Sequence, residues 1–185
     1  MVRKDTLNCL ILIYSHTDSN SECINVMSYQ QEIVLNPIGF VKTTAVGDEV
    51  RDRSKTTQLI IKKELAEALE GIDGFSHLFV LFWLHKTPAK DRKTLKVHPR
   101  GRRNLPLLGI LATRTMLRPN PIGLTVVELV KVKGNALTVR GLDAFDGTPV
   151  LDIKPFDSRD NAANAKVPEW WTKLKKEKPQ NLRNC

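Results

Sequence analysis

LTVVELVKVKGNALTVRGL, residues 124–142, decides how this chain folds. Two β-branched, alternating runs (124–132 and 136–142) flank Lys133-Gly134-Asn135. A glycine-containing break of three residues between such runs predicts a β-hairpin. Working outward, FSHLFVLFWLH (75–85) is apolar on both faces and predicts a buried central strand. EIVLNPIGFVK (32–42) and TTQLIIK (57–63) read as two further strands, and LLGILAT (107–113) and PVLDIKPF (149–156) complete the series. KELAEALE (63–70) reads as a short helix, with Leu65 and Leu69 four apart and Gly71 as its stop. Several short strands joined by turns, with one helix, predict a mainly-β barrel or sandwich instead of repeated βαβ units.

Composition agrees with a globular chain. At 185 residues, 41% hydrophobic and 26% charged, it is long enough for one main domain with a real core. No apolar run approaches the roughly 20 residues of a membrane-crossing helix, so no membrane partner is expected. Cys9, Cys23 and Cys185 lie near the two ends without a CxxC pair. That argues against a disulfide framework or structural zinc and for a reducing, cytoplasmic setting. His16, His77, His85 and His98 show no ligand spacing, so no metal is expected. GxG occurs nowhere and neither does GxxxxGK[ST], which excludes the common glycine-rich phosphate cradles.

LNCLILIY (7–14) follows Arg3 and Lys4 in the manner of a signal peptide, but the run is short and no small-residue cleavage pattern follows it. Met27 reads as an alternative start, so residues 1–26 are expected to be an extension and 27–160 the domain proper. Residues 161–185 form a basic arm, in which Trp170 and Trp171 precede Lys173, Lys175 and Lys176. These tryptophans are expected to pack back on the domain.

The charge is concentrated. From His85 to Arg118 there are ten basic residues and one acidic residue, Asp91, which equals the whole formal net charge of +9. A segment this basic, interleaved with prolines and glycine, points to a polyanionic partner, of which nucleic acid is the commonest. Within it, Pro99, Pro106, Pro119 and Pro121 fix backbone angles beside the arginines, and Arg118-Pro119-Asn120-Pro121-Ile122-Gly123 forms a stiff loop suited to a ligand. LDAFDGTP (142–149) places Asp143, Asp146 and Thr148 around an Asp-Gly turn between two apolar strands, a polar pocket edge. Leu84-His85-Lys86 marks the point where the apolar strand emerges.

Together these segments resemble the TsaA-like family of TrmO type, S-adenosylmethionine-dependent tRNA methyltransferases. The resemblance rests on NPIGFVKT (36–43), FSHLFVLFWLH (75–85), HPRGR (98–102), GILATRTMLRPNPIGL (109–124) and LDAFDGTPVLDIKPF (142–156), and so covers about residues 32–160. It implies a small β-barrel methyltransferase without the Rossmann fold, working as a homodimer on N6 of threonylcarbamoyladenosine in the tRNA anticodon loop. By position, the family's cofactor contacts fall on Leu84, His85, Arg114, Leu124, Phe145, Asp146, Gly147 and Thr148. A further contact region falls on Asp52, Arg53 and Ser54, where family members carry a Pro-Arg-Gln-like segment and this chain has Val50-Arg51-Asp52-Arg53-Ser54.

The roles that follow are chemical expectations. Backbone groups near Leu84, Leu124 and Phe145 would hold an adenine, Asp146 a ribose or amino group, and Arg114 a carboxylate. N6 is a poor nucleophile, so a base that removes its proton would help, and His85 and Asp146 are both candidates. Arg100, Arg102, Arg103 and Arg118 are expected to hold anticodon-loop phosphates. The competing reading is a non-catalytic RNA-binding β-barrel.

Overall fold

Antiparallel pairing carries almost the whole architecture. The strands are β1 (Gly39–Lys42), β2 (Thr56–Ile61), β3 (His77–Trp83), β4 (Lys96–Val97), β5 (Leu108–Gly109), β6 (Ile122–Lys133), β7 (Ala136–Arg140) and β8 (Pro149–Pro155). Six of them close into a barrel in the order β1-β2-β7-β6-β3-β8, with β8 returning to β1. β4 and β5 pair separately as a small ribbon. The computed structural model describes residues 33–176; the extension expected over 1–26 and the end of the arm, 177–185, lie outside the described residues. Within the described residues, the chain from Leu35 forms one unit.

The barrel interior follows from period-two alternation. Thr57, Leu59 and Ile61 of β2 and Leu78, Val80 and Phe82 of β3 point inward and are buried, where they meet Val127, Leu137, Val139 and Val150. Burying each such aliphatic chain contributes about 1.5–3 kcal/mol. β3, apolar on both faces, has its outer side covered as well: Phe79 meets Phe156 edge-on at 5.2 Å, and the Arg92 guanidinium lies 5.4 Å from the Trp83 ring. Gly123 stands opposite Phe82 in the β3–β6 ladder, and a Cβ there would enter the Phe82 ring.

Several elements differ from expectation, each for a local reason. The hairpin turn is two residues, not three, because Lys133 pairs with Ala136 and Gly134 takes φ 58°. An irregularity between Leu129 and Lys131 absorbs the extra residue, and the Asn135 carbonyl accepts from Ile61 N at 2.9 Å. Of residues 107–113 only Leu108 and Gly109 are strand. Pro106 has no N–H to donate, and Ile110 donates its own to Leu95 O at 3.0 Å before turning into a 3-10 turn, Ile110–Ala112. Of the described residues 33–42 only Gly39–Lys42 are strand, with Ile38 bonded at its start to Val150 O and Lys62 N. Residues 63–69 are a 3-10 helix, too short for a stable α-helix, with Leu65 and Leu69 packed on the core. The one α-helix among the described residues is α1 (Glu169–Lys176), in the arm. No helix among the described residues is long and apolar enough to cross a membrane.

Candidate functional site

β3 ends at Trp83 because the chain reverses sharply there. Leu84 N donates to Pro121 O at 2.7 Å, and His85 N donates to Trp83 O at 2.7 Å. That backbone link ties the end of β3 to the proline loop and opens a cleft of about 590 Å³ between the two. Its walls come from residues 47–53, 82–87, 113–125 and 143–148, four stretches far apart in the chain.

Of the expected cofactor contacts, the structure brings Arg53, Leu84, His85, Arg114, Leu124, Phe145 and Thr148 together on this cleft. Leu124 is 59% exposed there, an apolar surface available to a planar ligand. Thr148 is buried, and its Oγ1 lies 3.2 Å from His85 Nδ1. His85 is exposed at the cleft wall. Desolvation of the ring, and then the adjacent Lys86 ammonium, hold its pKa below the ordinary 6.5. The Lys86 ammonium itself rests 3.8 Å from the Phe145 ring centroid.

Other expected contacts are turned elsewhere. Asp52 accepts from Ser54 N at 3.0 Å and Ser54 Oγ at 2.7 Å, and these bonds lower its carboxyl pKa. The pair closes a surface turn and does not line the cleft. Asp146 accepts from Thr43 N at 2.9 Å, on the rim of a separate, shallower hollow with Lys42, Thr57 and Thr138. Gly147, at φ 72°, is the third residue of the turn in which Thr148 N donates to Phe145 O at 3.2 Å. This turn aims Asp146 away from the cleft.

Asp143 faces the cleft instead. It accepts from the buried Thr125 Oγ1 at 2.5 Å and lies 3.9 Å from Arg53 Nη2. The signal for it was present in LDAFD: Leu142 and Ala144 are core, so Asp143 and Phe145 share the opposite face. Arg51, Lys86, Thr113, Thr115 and Met116 line the cleft as well, and none of them, nor Asp143, is among the cofactor contacts expected from the sequence. With Arg51, Arg53, Lys86, Arg114 and Arg118 against Asp143 alone, the cleft is cationic.

The expected RNA contacts divide in two. Arg118 lines the cleft and donates Nη1 to Thr113 O at 3.0 Å, pinning the loop it belongs to. Arg100, Arg102 and Arg103 lie in a tight turn outside the cleft, braced by His98 Nδ1 on Leu105 O at 2.7 Å, with Arg100 at φ 53° and Arg100 and Arg103 exposed. Among the described residues no group of three or more His, Cys, Asp or Glu could hold a metal ion.

The class defined by this fold and cleft is a closed antiparallel barrel with a cationic, partly apolar ligand site, outside the Rossmann architecture. Within that class, the chain belongs to the family of the tRNA-methyltransferase O N-terminal domain, which it matches over residues 43–160. It is 42% identical over 130 residues to a Methanothermobacter thermautotrophicus protein named "Probable S-adenosyl-L-methionine-binding protein", covering 68% of this chain and 90% of that one. An Archaeoglobus fulgidus protein named S-adenosyl-L-methionine-binding protein is 37% identical over 137 residues, covering 71% of this chain and 95% of its own length. The crystal structure of TrmO from Pseudomonas aeruginosa superposes with a TM-score of 0.61 at 30% identity, covering 77% of this chain. This chain spans 63% of that one.

Proposed function

We propose that this chain is an S-adenosyl-L-methionine-dependent methyltransferase that modifies tRNA, transferring a methyl group to N6 of threonylcarbamoyladenosine beside the anticodon. One observation carries the reading. Leu84, His85, Arg114, Leu124, Phe145 and Thr148, scattered over 65 positions, converge on a single cationic cleft in a chain of this family.

The residues present suit the cofactor. The volume is that of a small-molecule site. Leu124 and Met116 offer apolar surface for an adenine, and Asp143 is placed for a ribose hydroxyl or an amino group. Arg114 lines the cleft and, among the described residues, makes a ring contact but no hydrogen bond or ion pair, so its donors suit a carboxylate. When bound, S-adenosyl-L-methionine supplies an electrophilic methyl group on a sulfonium sulfur. The chain's part is to hold the acceptor nitrogen in line with that methyl and to take its proton. His85 suits the second task, because its lowered pKa keeps the ring neutral near pH 7. The tautomer that donates Nδ1–H to Thr148 leaves the Nε2 lone pair free. Asp146, held by Thr43 N, is the weaker choice.

Exposed Arg100 and Arg103 give tRNA phosphates a foothold outside the cleft, while Arg118 orders the loop from Thr113 that lines it. The reading includes a homodimer, for which Leu95, Leu107 and Leu111, exposed around the β4–β5 ribbon, supply apolar surface. The test is incubation with methyl-labelled cofactor and tRNA bearing threonylcarbamoyladenosine, followed by nucleoside analysis. Label on that nucleoside supports the proposal. RNA binding without any methylated product supports the non-catalytic barrel.

A further inference from the structure

α1 lies beyond residue 160, outside the stretch matched by the family, and does not itself line the cleft, yet it touches Arg114, which does. Pro168 starts it, with Trp171 N donating to Pro168 O at 3.0 Å. Leu174, one turn further on, is buried. On the exposed side Glu169 and Lys173 pair at 2.8 Å, so the helix presents one apolar face and one charged face. From the apolar face the Trp171 ring meets the Arg114 guanidinium, 5.8 Å from carbon to ring centroid, and is itself backed edge-on by Trp170 at 5.4 Å.

We propose that Trp171 is a positioning residue for Arg114, so that the C-terminal helix forms part of the ligand site. A guanidinium lying over an aromatic face is restrained in orientation by its π surface, which leaves the N–H donors on its edge free for a planar anion. The ring contact is the one interaction found for Arg114 among the described residues. Without it a long exposed side chain samples many rotamers, and ordering it on binding costs affinity. The inference rests on the assignment of Arg114 to the cofactor's carboxylate.

The test is a calorimetric titration of S-adenosyl-L-methionine and of 5′-methylthioadenosine, which lacks the carboxylate. The titrations use the full chain, Trp171→Leu and Trp171→Phe, each also in an Arg114→Ala background. Leucine keeps the helix docked by an apolar contact but removes the π face, whereas phenylalanine keeps both. The expected result is a loss of roughly three- to tenfold in S-adenosyl-L-methionine affinity for Trp171→Leu, with Trp171→Phe within about twofold of wild type. Methylthioadenosine binding should be unchanged, and Trp171→Leu should add nothing once Arg114 is alanine. Equal losses for both ligands, a full loss persisting in the Arg114→Ala background, or no loss at all would each overturn the positioning role. Failure of wild type to bind S-adenosyl-L-methionine would overturn the cofactor assignment and this inference with it.

Discussion

His85 and Thr148, 63 positions apart, meet at the cleft with Nδ1 and Oγ1 3.2 Å apart. The contact joins the end of β3 to the start of β8, which are neighbours in the barrel. A ring that moves a proton there has its orientation restrained by a buried hydroxyl, which can accept from Nδ1–H or donate to Nδ1.

A pH dependence follows. His85 titrates below 6.5, pushed down by desolvation and then by Lys86. Between its folded pKa and 6.5 the unfolded chain binds more protons than the folded one. This group's contribution to stability is therefore complete above 6.5 and is lost as pH falls through the folded value. Methyl transfer that needs the neutral ring should fall over the same range. NMR titration of the His85 ring should give a midpoint below 6.5, and Lys86→Met should move it upward; a wild-type midpoint at or above 6.5 contradicts the assignment.

The two carboxylates of LDAFD should separate. Asp143→Asn should weaken cofactor binding by roughly tenfold, because the residue faces the cleft between Thr125 and Arg53. Asp146→Asn should leave binding within about twofold, since its partner is the Thr43 backbone outside the cleft. Isothermal titration of both variants decides the order, and a larger effect at Asp146 would return the polar role to that residue.

Packing at the floor of the cleft should be intolerant. Gly123→Ala puts a methyl group into the Phe82 ring, which is buried and fixed by strand pairing. The expected cost is about 1–3 kcal/mol in unfolding free energy, read from denaturant titration. A neutral result would mean that Phe82 has a second rotamer available.

Removing charge from the turn before β5 should alter tRNA binding alone. The double variant Arg100→Gln, Arg103→Gln should weaken binding and flatten the slope of log K against log salt by about 1–2. Cofactor affinity should stay unchanged, because neither residue lines the cleft. Filter binding across a salt series measures the slope.

Much of this was legible in the chain, for identifiable reasons. The alternation of 75–85 and the hairpin around Gly134-Asn135 reveal strands directly, because pleated geometry imposes period two on any strand with one buried face. The short apolar stretch 107–113 misleads, since its apolar residues look like a strand while Pro106 lacks an N–H for the ladder and the chain turns into a 3-10 turn at Ile110–Ala112, just past the last ladder bond to Leu95. The helix expected at 63–70 is 3-10 because tertiary contacts of Leu65 and Leu69, not helical propensity, hold it. At the site, Arg114 and His85 stand out by their surroundings. Which carboxylate of 143 and 146 faces inward depends on where the turn at Gly147 begins, a backbone detail. The partnership of Trp171 with Arg114 has no local signature at all, because it joins segments that only the fold brings together.

The central claim is that the cleft holds S-adenosyl-L-methionine with Arg114 on its carboxylate. Calorimetric titration of the cofactor into wild type and Arg114→Ala tests it most directly. The account predicts saturable binding to wild type, weakened by about tenfold to a hundredfold in the variant. Equal affinity of the two proteins, or no binding to wild type with tRNA present or absent, would contradict it.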